Sequence, residues 1–160
     1  MTITRATKSD FDEILVNFDQ FWQNPSPFVR PLHHPTLINE FGSTAFVIRD
    51  DHGVAAYLYG FLSQVEPVGY VHLTAVRRDC RRKGYAAALH CHFCDTARAK
   101  GCNAVKAIAI PNNAASIAFH TRMGMRMLGA ANAQGIPVEK DHSGPGEDRV
   151  VFWKDLLRRE

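Results

Sequence analysis

Residues 74–86 read Thr-Ala-Val-Arg-Arg-Asp-Cys-Arg-Arg-Lys-Gly-Tyr-Ala, an apolar strand that runs into a cationic loop and then into a predicted helix. Small residues at Gly84 and Ala86 allow backbone N–H groups to approach a ligand closely, and the positive end of the helix points to the same place. The pattern Arg81-x-x-Gly84-x-Ala86 therefore predicts a phosphate or pyrophosphate site. The loop matches neither G-x-x-x-x-G-K-[ST] nor G-x-G-x-x-G, so the common nucleotide-binding folds do not fit.

A second segment, Asn113-Ala-Ala-Ser-Ile-Ala-Phe-His-Thr-Arg-Met-Gly-Met125, follows the next predicted strand. Together the two segments resemble the signatures of the GCN5-related N-acetyltransferases. In that family the first is the acyl-CoA pyrophosphate loop, Gln/Arg-x-x-Gly-x-Gly/Ala, and the second is an Asn-x-x-Ser-Ile-x-x-Tyr-x-x-x-Gly-Phe helix beside the pantetheine arm. This chain departs from the pattern at His120, where the family usually has Tyr, and at Met125, Arg78 and Cys80.

The residue pattern alone predicts a mixed α/β (α+β) layer fold in one domain spanning residues 1–160. The resemblance implies more: a twisted mixed sheet, mainly antiparallel, of about 6–7 strands with about four helices, splayed between strands 4 and 5. Ser9 is expected to cap the first helix. Strands are predicted near residues 3–6, 44–49, 53–63, 69–76, 104–110, 125–131 and 149–153, and a long helix over 82–100.

Composition points to a cytoplasmic protein. The 160 residues are 46% hydrophobic with a net charge of +3, and no stretch approaches the roughly 18 apolar residues of a membrane-spanning helix. The N-terminal residues lack a signal-peptide core, so the four cysteines are predicted to be free thiols. Cys91 and Cys94 lie inside a predicted helix without a second ligand pair, so we expect no metal.

The resemblance implies acetyl-CoA as the acyl donor and assigns the residues that bind it. Backbone groups of Thr74, Ala75 and Val76 would bind the pantetheine amides. Asn113 and Ser116 would lie along the arm. The pyrophosphate would be bound by the loop residues Arg81, Arg82, Lys83, Gly84, Tyr85 and Ala86.

Catalytic candidates come from the predicted strand before the loop and from the second signature helix. Tyr70, His72 and Thr74 are expected to share one face of the strand, because alternate residues of a strand point the same way. His72 is the first choice for the general base, with Glu66 in reserve; the alternative is that His72 only packs in the sheet. His120 is the predicted acid for the leaving thiolate, or else a structural residue.

The resemblance implies that the acceptor pocket borders the proline-rich loop that contains His33 and His34. These two histidines and Tyr70 are candidate substrate contacts, although paired histidines in a loop are often simply exposed. A thiol at Cys80 also allows a ping-pong route through an acyl-enzyme. Direct attack is the preferred mechanism, because packing of the loop explains Cys80 equally well.

The predicted function is acetyl-CoA-dependent N-acetylation of a small primary amine by direct attack in a ternary complex. A non-catalytic acyl-CoA-binding domain is the alternative, favoured by the histidine at position 120. A basic nucleic-acid-binding module is a weaker alternative, because no aromatic ladder accompanies the arginines of residues 77–82. We expect no membrane partner, and a homodimer is a possible assembly.

Overall fold

A seven-stranded sheet in the order β1-β2-β3-β4-β5-β9-β6 dominates the computed structural model, which describes residues 1–22 and 29–156. A small second sheet pairs β7 with β8. The strands are β1 (Ile3–Arg5), β2 (Ala45–Asp50), β3 (Gly53–Leu62), β4 (Val68–Val76), β5 (Ala104–Ala109), β6 (Arg126–Leu128), β7 (Ala130–Ala131), β8 (Pro137–Val138) and β9 (Val150–Asp155). The α-helices are α1 (Lys8–Val16), α2 (Phe18–Phe21), α3 (Thr36–Asn39), α4 (Tyr85–Ala99) and α5 (Ala114–Arg122).

The predicted mixed sheet and antiparallel meander are confirmed. β2, β3 and β4 pair antiparallel in sequence order, and Gly53, at a φ of 101°, makes the turn between the first two. β4 and β5 run parallel, because α4 carries the chain back to the end of the sheet at which β4 begins. The two faces of the sheet bury separate apolar cores.

One core, the α4 face, lies under α4 and contains Leu58, Val71, Phe93 and Phe152. The other, the α1 face, packs against α1 to α3 and includes Tyr57, Tyr59 and Leu73 among its buried residues. Both cores are formed by strands with β-branched or aromatic residues, which pack well on a pleated surface.

Two details of the sequence prediction were wrong. Thr7, not Ser9, caps α1: its hydroxyl accepts from the Asp10 N–H at 3.3 Å, and the Asp10 carboxylate accepts from the Thr7 N–H at 2.6 Å. Arg49 also binds Asp10, and this bond favours the capping box of Thr7 and Asp10 over the expected one of Ser9 and Asp12. The expected strand at 125–131 is divided at Gly129, and β8 was not predicted.

Candidate active site

β4 and β5 separate where the predicted cofactor arm would lie. They pair only from Val68–Val71 to Ala104–Ala107, although β4 continues to Val76. The backbone of residues 72–76 is paired with β3 on one side and has no strand partner among the described residues on the β5 side. Such an edge offers N–H and C=O groups to an extended ligand. The splay expected between strands 4 and 5 is therefore present.

A β-bulge lies at the point of separation. Leu73 pairs with Tyr59 and Val71 pairs with Gly60, so His72 is the extra residue of β4. The bulge reverses the alternation of faces: Tyr70 stacks on Phe61 of β3 on the α1 face at 4.9 Å between ring centroids.

Thr74 is consequently on the opposite face from Tyr70. It pairs with Leu58, which belongs to the α4 core. The prediction that Tyr70, His72 and Thr74 share a face was wrong for Thr74, because the bulge shifts the register by one residue. The Thr74 hydroxyl is buried and has no hydrogen-bond partner among the described residues.

His72 has a defined tautomer. Its Nε2 lies 3.2 Å from the Leu32 carbonyl oxygen, which can only accept, so Nε2 carries the proton and Nδ1 keeps its lone pair. No described residue bonds to Nδ1. Burial lowers the pKa of His72, and the bond to Leu32 opposes that shift. A neutral imidazole with a free lone pair at the splay can accept a proton.

Glu66, the reserve base, lies at the other end of β4. Its carboxylate is 2.9 Å from the Lys106 ammonium. Glu66 precedes β4 by two residues, in the turn that follows β3, whereas His72 lies where β4 and β5 separate. His72 is therefore much better placed at the splay.

The loop before α4 has the conformation of an anion site. Arg82 and Gly84 have φ angles of 64° and 82°, both in the left-handed region. The first backbone bond into α4 runs from the Ala88 N–H to Gly84 O at 3.0 Å, so the N–H groups of residues 82–87 have no acceptor in the described part of the chain. A Cβ at Gly84 would meet no atom within 4 Å. This open, uncapped helix start fits a pyrophosphate.

The cationic window has two parts with different roles. Arg77 is buried, and its guanidinium donates to Asp50 at 2.5 Å and to Asp79 at 2.8 Å. Arg78 and Arg81 donate to backbone carbonyls near α2, those of Asp19 at 3.2 Å and Phe21 at 3.0 Å. These arginines hold the loop in place, which weakens the nucleic-acid alternative.

Arg82 and Lys83 are the loop cations left for a ligand. Both are exposed, and neither side chain bonds to another described residue. They follow the structural arginines directly and flank the uncapped helix start. The phosphate charge would therefore be met by Arg82 and Lys83 together with backbone N–H groups.

Cys80 belongs to the structural part of the loop. Its side chain is completely buried, with Sγ 3.4 Å from the Asp50 carboxylate and 3.3 Å from Arg77. Burial raises the pKa of the Cys80 thiol, and the hydrogen bond to Arg77 lowers the pKa of Asp50 to about 2. A buried neutral thiol beside a carboxylate is a poor nucleophile, so the geometry favours direct transfer over an acyl-enzyme.

The second signature segment forms α5. The Asn113 side chain caps this helix by accepting from the Ser116 N–H at 3.0 Å. One turn later, His120 Nδ1 donates to the Ser116 carbonyl at 2.9 Å, and its ring stacks on Phe152 with centroids 4.4 Å apart. His120 Nε2 is buried without a described partner, and burial lowers the pKa of the ring.

His90 was missed by the sequence interpretation. It is 0% exposed on α4, and its ring centroid is 6.2 Å from that of His120. Its Nε2 is likewise buried and unpartnered in the described chain, and burial lowers its pKa to about 4. The available signal was its position: His90 lies four residues after Ala86, on the apolar face of the predicted helix.

The two loop histidines have different surroundings. His33 is buried, with Nδ1 bonded to Val29 O at 3.0 Å and Nε2 bonded to the Tyr57 hydroxyl at 2.6 Å, so both ring nitrogens are engaged. Burial lowers the pKa of His33 to about 4. His34 is exposed, and its Nδ1 accepts from the Thr36 hydroxyl at 2.5 Å. His33 therefore has no free ring nitrogen to offer a substrate at the splay.

A cleft of about 420 Å³ lies at the far end of β5, lined by residues 110–112 and 146–149. A second, of about 470 Å³, lies between α2 and residues 77–79. Within the described residues no group of three or more His, Cys, Asp or Glu side chains could hold a metal ion. No helix in that part of the chain is long and apolar enough to cross a membrane.

Three solved structures with the same fold are below 25% sequence identity to this chain. An acetyltransferase of the GNAT family from Desulfovibrio desulfuricans is 17% identical over 98% of this chain and 99% of its own, with a TM-score of 0.74. The ribosomal-protein-S18-alanine N-acetyltransferase of Escherichia coli is 16% identical over 99% and 96%, with a TM-score of 0.66. Chaetomium thermophilum Naa20 in complex with a bisubstrate analogue is 20% identical over 97% and 86%, with a TM-score of 0.72.

Sequence comparison with curated proteins gave no match. The sequence model of the Acetyltransferase (GNAT) family, in contrast, matches residues 10–125. That range includes the splayed strands, the cationic loop of residues 77–84 and α5, which are the parts of the fold described above as the site. The chain therefore belongs to the acetyltransferase (GNAT) family and is an acyltransferase.

Proposed function

We propose that this enzyme transfers the acetyl group of acetyl-CoA to a small-molecule primary amine by direct attack in a ternary complex. The observation that carries the proposal is the free edge of β4 at residues 72–76, which is followed along the chain by the loop to the open helix start at Gly84. One continuous surface thus offers backbone groups for an extended arm and a cationic site for phosphates.

The cofactor would be held by the residues assigned from the resemblance, with the roles that their geometry supports. Acetyl-CoA supplies the acetyl thioester. Thr74, Ala75 and Val76 offer the free strand edge, and Thr74 adds a buried hydroxyl that lacks a described partner. N–H groups for the pyrophosphate would come from Gly84, Tyr85 and Ala86, and Arg82 and Lys83 would balance its charge. Arg81 holds the loop in place. Asn113 and Ser116 form the capped start of α5.

His72 is proposed as the general base. The Leu32 carbonyl holds the proton of Nε2, so the amine proton would pass to Nδ1 as the new C–N bond forms. Because burial lowers the pKa of the ring, His72 is neutral near pH 7 and can accept that proton. An imidazole held by the Leu32 carbonyl, at a bulge in a strand that pairs with β3 on both sides of it, is also well positioned for catalysis.

His120 is proposed as the proton donor to the leaving thiolate, in place of the family's usual tyrosine. Its Nδ1 proton is held by the Ser116 carbonyl, so the donated proton would have to come from Nε2. Burial lowers the pKa of His120, which makes the cationic ring a strong acid but a scarce species at neutral pH. Water is the competing proton donor. It would take this role if His120 were purely structural, packed by its stacking on Phe152.

The family assignment favours an enzyme over the alternative of a non-catalytic acyl-CoA-binding domain. A single catalytic domain over residues 1–160 and a cytoplasmic location are part of the proposal. The location is supported by the four cysteines, all of which are free, because unpaired thiols are typical of reducing compartments.

The proposal is tested by acetyl-CoA turnover against a panel of primary amines, with release of free thiol as the readout. We expect turnover that His72→Gln lowers by roughly 10²- to 10⁴-fold in kcat/KM, with acetyl-CoA affinity retained. Binding of acetyl-CoA with no turnover on any amine would instead support the non-catalytic domain. Full activity in His72→Gln would reject His72 as the base.

A further inference from the structure

We propose that the acceptor is a primary amine with an aromatic or large aliphatic group, and that Phe41, Phe61 and Tyr70 bind this group. The inference rests on the proposed acetyl transfer and specifies its acceptor. The three side chains form an aromatic row that starts beside His72 on the α1 face of the sheet.

The row is continuous from the proposed base outward. Ring centroids lie 6.3 Å apart for His72 and Tyr70, 4.9 Å for Tyr70 and Phe61, and 5.3 Å for Phe61 and Phe41. All of these side chains are partly exposed, unlike the buried tyrosines of β3. An amine whose nitrogen reaches His72 would therefore place its substituent along aromatic surface.

Two exposed aliphatic residues lie in the chain segments next to His72 and the splay. Leu32 and Ile110 are 44% and 46% exposed, and they are two of the five exposed large hydrophobic residues in the described chain. The Leu32 carbonyl is the group that binds His72. Ile110 directly follows β5, three residues beyond the last one paired with β4, or about 10 Å from the splay. Apolar surface clustered around a proposed base marks a place for an apolar ligand.

The carboxylates near Tyr70 do not favour a second cationic group close to the acceptor's amine. Glu66 is paired with Lys106, the strand neighbour of Tyr70, and Glu147 is paired with Arg149 at 2.8 Å. Burial raises the pKa of Tyr70 to about 12, so its phenol is neutral. A second ammonium near Tyr70 would meet carboxylates that are already paired, and the exposed Glu40 lies only at the far end of the row, beside Phe41. An apolar group would gain by leaving water along all three rings.

The same chemistry is found in small arylalkylamines and in peptides whose first residue is apolar, and the experiment includes both. 2-Phenylethylamine is compared with ethanolamine, an amine of similar basicity, and Phe-Gly-Gly with Ser-Gly-Gly. Each is measured for kcat/KM with acetyl-CoA and, by calorimetry with CoA present, for binding without turnover. The preferred pair distinguishes a small-molecule acceptor from a peptide N-terminus.

We expect the apolar member of at least one pair to be favoured by about 10- to 100-fold, the range for burial of one phenyl-sized group. Leu32→Ser and Ile110→Ser should reduce that ratio about 3- to 10-fold, since these exposed side chains add little to the core. Val65→Ser is the matched control: Val65 is 91% exposed and lies in the β3–β4 turn, three residues beyond the Leu62–Gly69 pair that ends the ladder.

Phe61→Ala should reduce the ratio further, with acetyl-CoA binding as the check that the protein is folded. Ratios near one for both pairs, or an equal ratio in Leu32→Ser and Val65→Ser, would overturn the proposal. If no amine is acetylated but calorimetry shows the same preference and the same loss in Leu32→Ser, the apolar site stands and the proposed acetyl transfer fails.

Discussion

At the residue scale, the two proposed catalytic histidines differ in which ring nitrogen is free. A backbone carbonyl holds the Nε2 proton of His72, whereas another holds the Nδ1 proton of His120. Because a carbonyl can only accept, each bond sets one tautomer. The free nitrogen of His72 is a lone-pair acceptor near the splay, and that of His120 is sealed against the aromatic ring of Phe152.

This difference predicts how substitutions at His120 affect the pH profile. His120→Phe should lower kcat by roughly 10- to 1000-fold with little change in acetyl-CoA affinity if Nε2 donates to the thiolate. His120→Tyr should then keep most activity and extend the alkaline limb of kcat/KM toward a phenol pKa near 10. The measurement is kcat and KM between pH 5 and 10. Unchanged kcat in His120→Phe would leave His120 with a structural role and water as the donor.

At the element scale, α4 links the cationic loop of residues 77–84 to the core. Its start is an uncapped turn with a left-handed Gly84, and its end is followed by a left-handed Gly101 at a φ of 89°. A Cβ at either glycine would meet no atom within 4 Å. The two positions are therefore matched in left-handed backbone conformation and in free space, and they lie at opposite ends of α4.

This match provides a test of the anion site. Acetyl-CoA at about 100 times its Kd should add roughly 2.7 kcal/mol of stability, raising Tm by about 5–10 °C for a domain of this size. Gly84→Val and Gly101→Val should lower the Tm of the free protein by similar amounts, because both force a β-branched residue to positive φ. Only Gly84→Val should abolish the ligand-induced shift. A full shift in that variant would place the phosphate site elsewhere.

The division of the cationic loop leads to a second test at this scale. Arg82→Ala and Lys83→Ala should weaken CoA about tenfold each but leave pantetheine binding nearly unchanged, since only phosphates interact with these exposed cations. Arg81→Ala should lower Tm more than either, because it removes the bond to the Phe21 carbonyl. Calorimetry with both ligands measures the difference. Equal losses for CoA and pantetheine in Arg82→Ala would contradict a direct phosphate contact.

At the scale of the whole molecule, buried neutral histidines link stability to pH. Burial holds the pKa of His33 and of His90 at about 4, against 6.5 for an ordinary histidine. Between these values the unfolded chain binds protons that the folded chain does not. Their contribution to stability is therefore complete above pH 6.5 and is lost as pH falls toward about 4.

Chemical unfolding between pH 6.5 and 4.5 should show the free energy of unfolding falling by up to about 1.4 kcal/mol per pH unit for each of these groups. His90→Phe and His90→Gln should each reduce the slope by that amount, although their stabilities at pH 7 will differ. His120 and Lys154 are the titratable groups that act on His90, and both variants retain them. A slope equal to that of the parent protein in both variants would show that His90 does not titrate as expected.

Local residue types and their spacing were sufficient to predict the tight turn at Gly84, the helix after it, the capping position of Asn113 and the strand order of the meander. These features depend on contacts between residues close in sequence: glycine at positive φ, a cap three residues from its N–H, and alternating apolar residues between turns. The loop and the second signature helix also carried the family resemblance, which supplied the splay between strands 4 and 5.

Only the tertiary structure decided which of the candidate groups are free to act. The bulge at His72 moved Thr74 to the other face of the sheet. Backbone carbonyls distant in sequence accept hydrogen bonds from Arg81 and His72. The packing of α4 against α5 brought His90 next to His120. Each of these outcomes depends on a partner between 30 and 60 residues away or on a one-residue register shift. Neither periodicity nor motif spacing encodes such partners, because both describe a segment in isolation, whereas burial and hydrogen bonding are properties of the assembled layers.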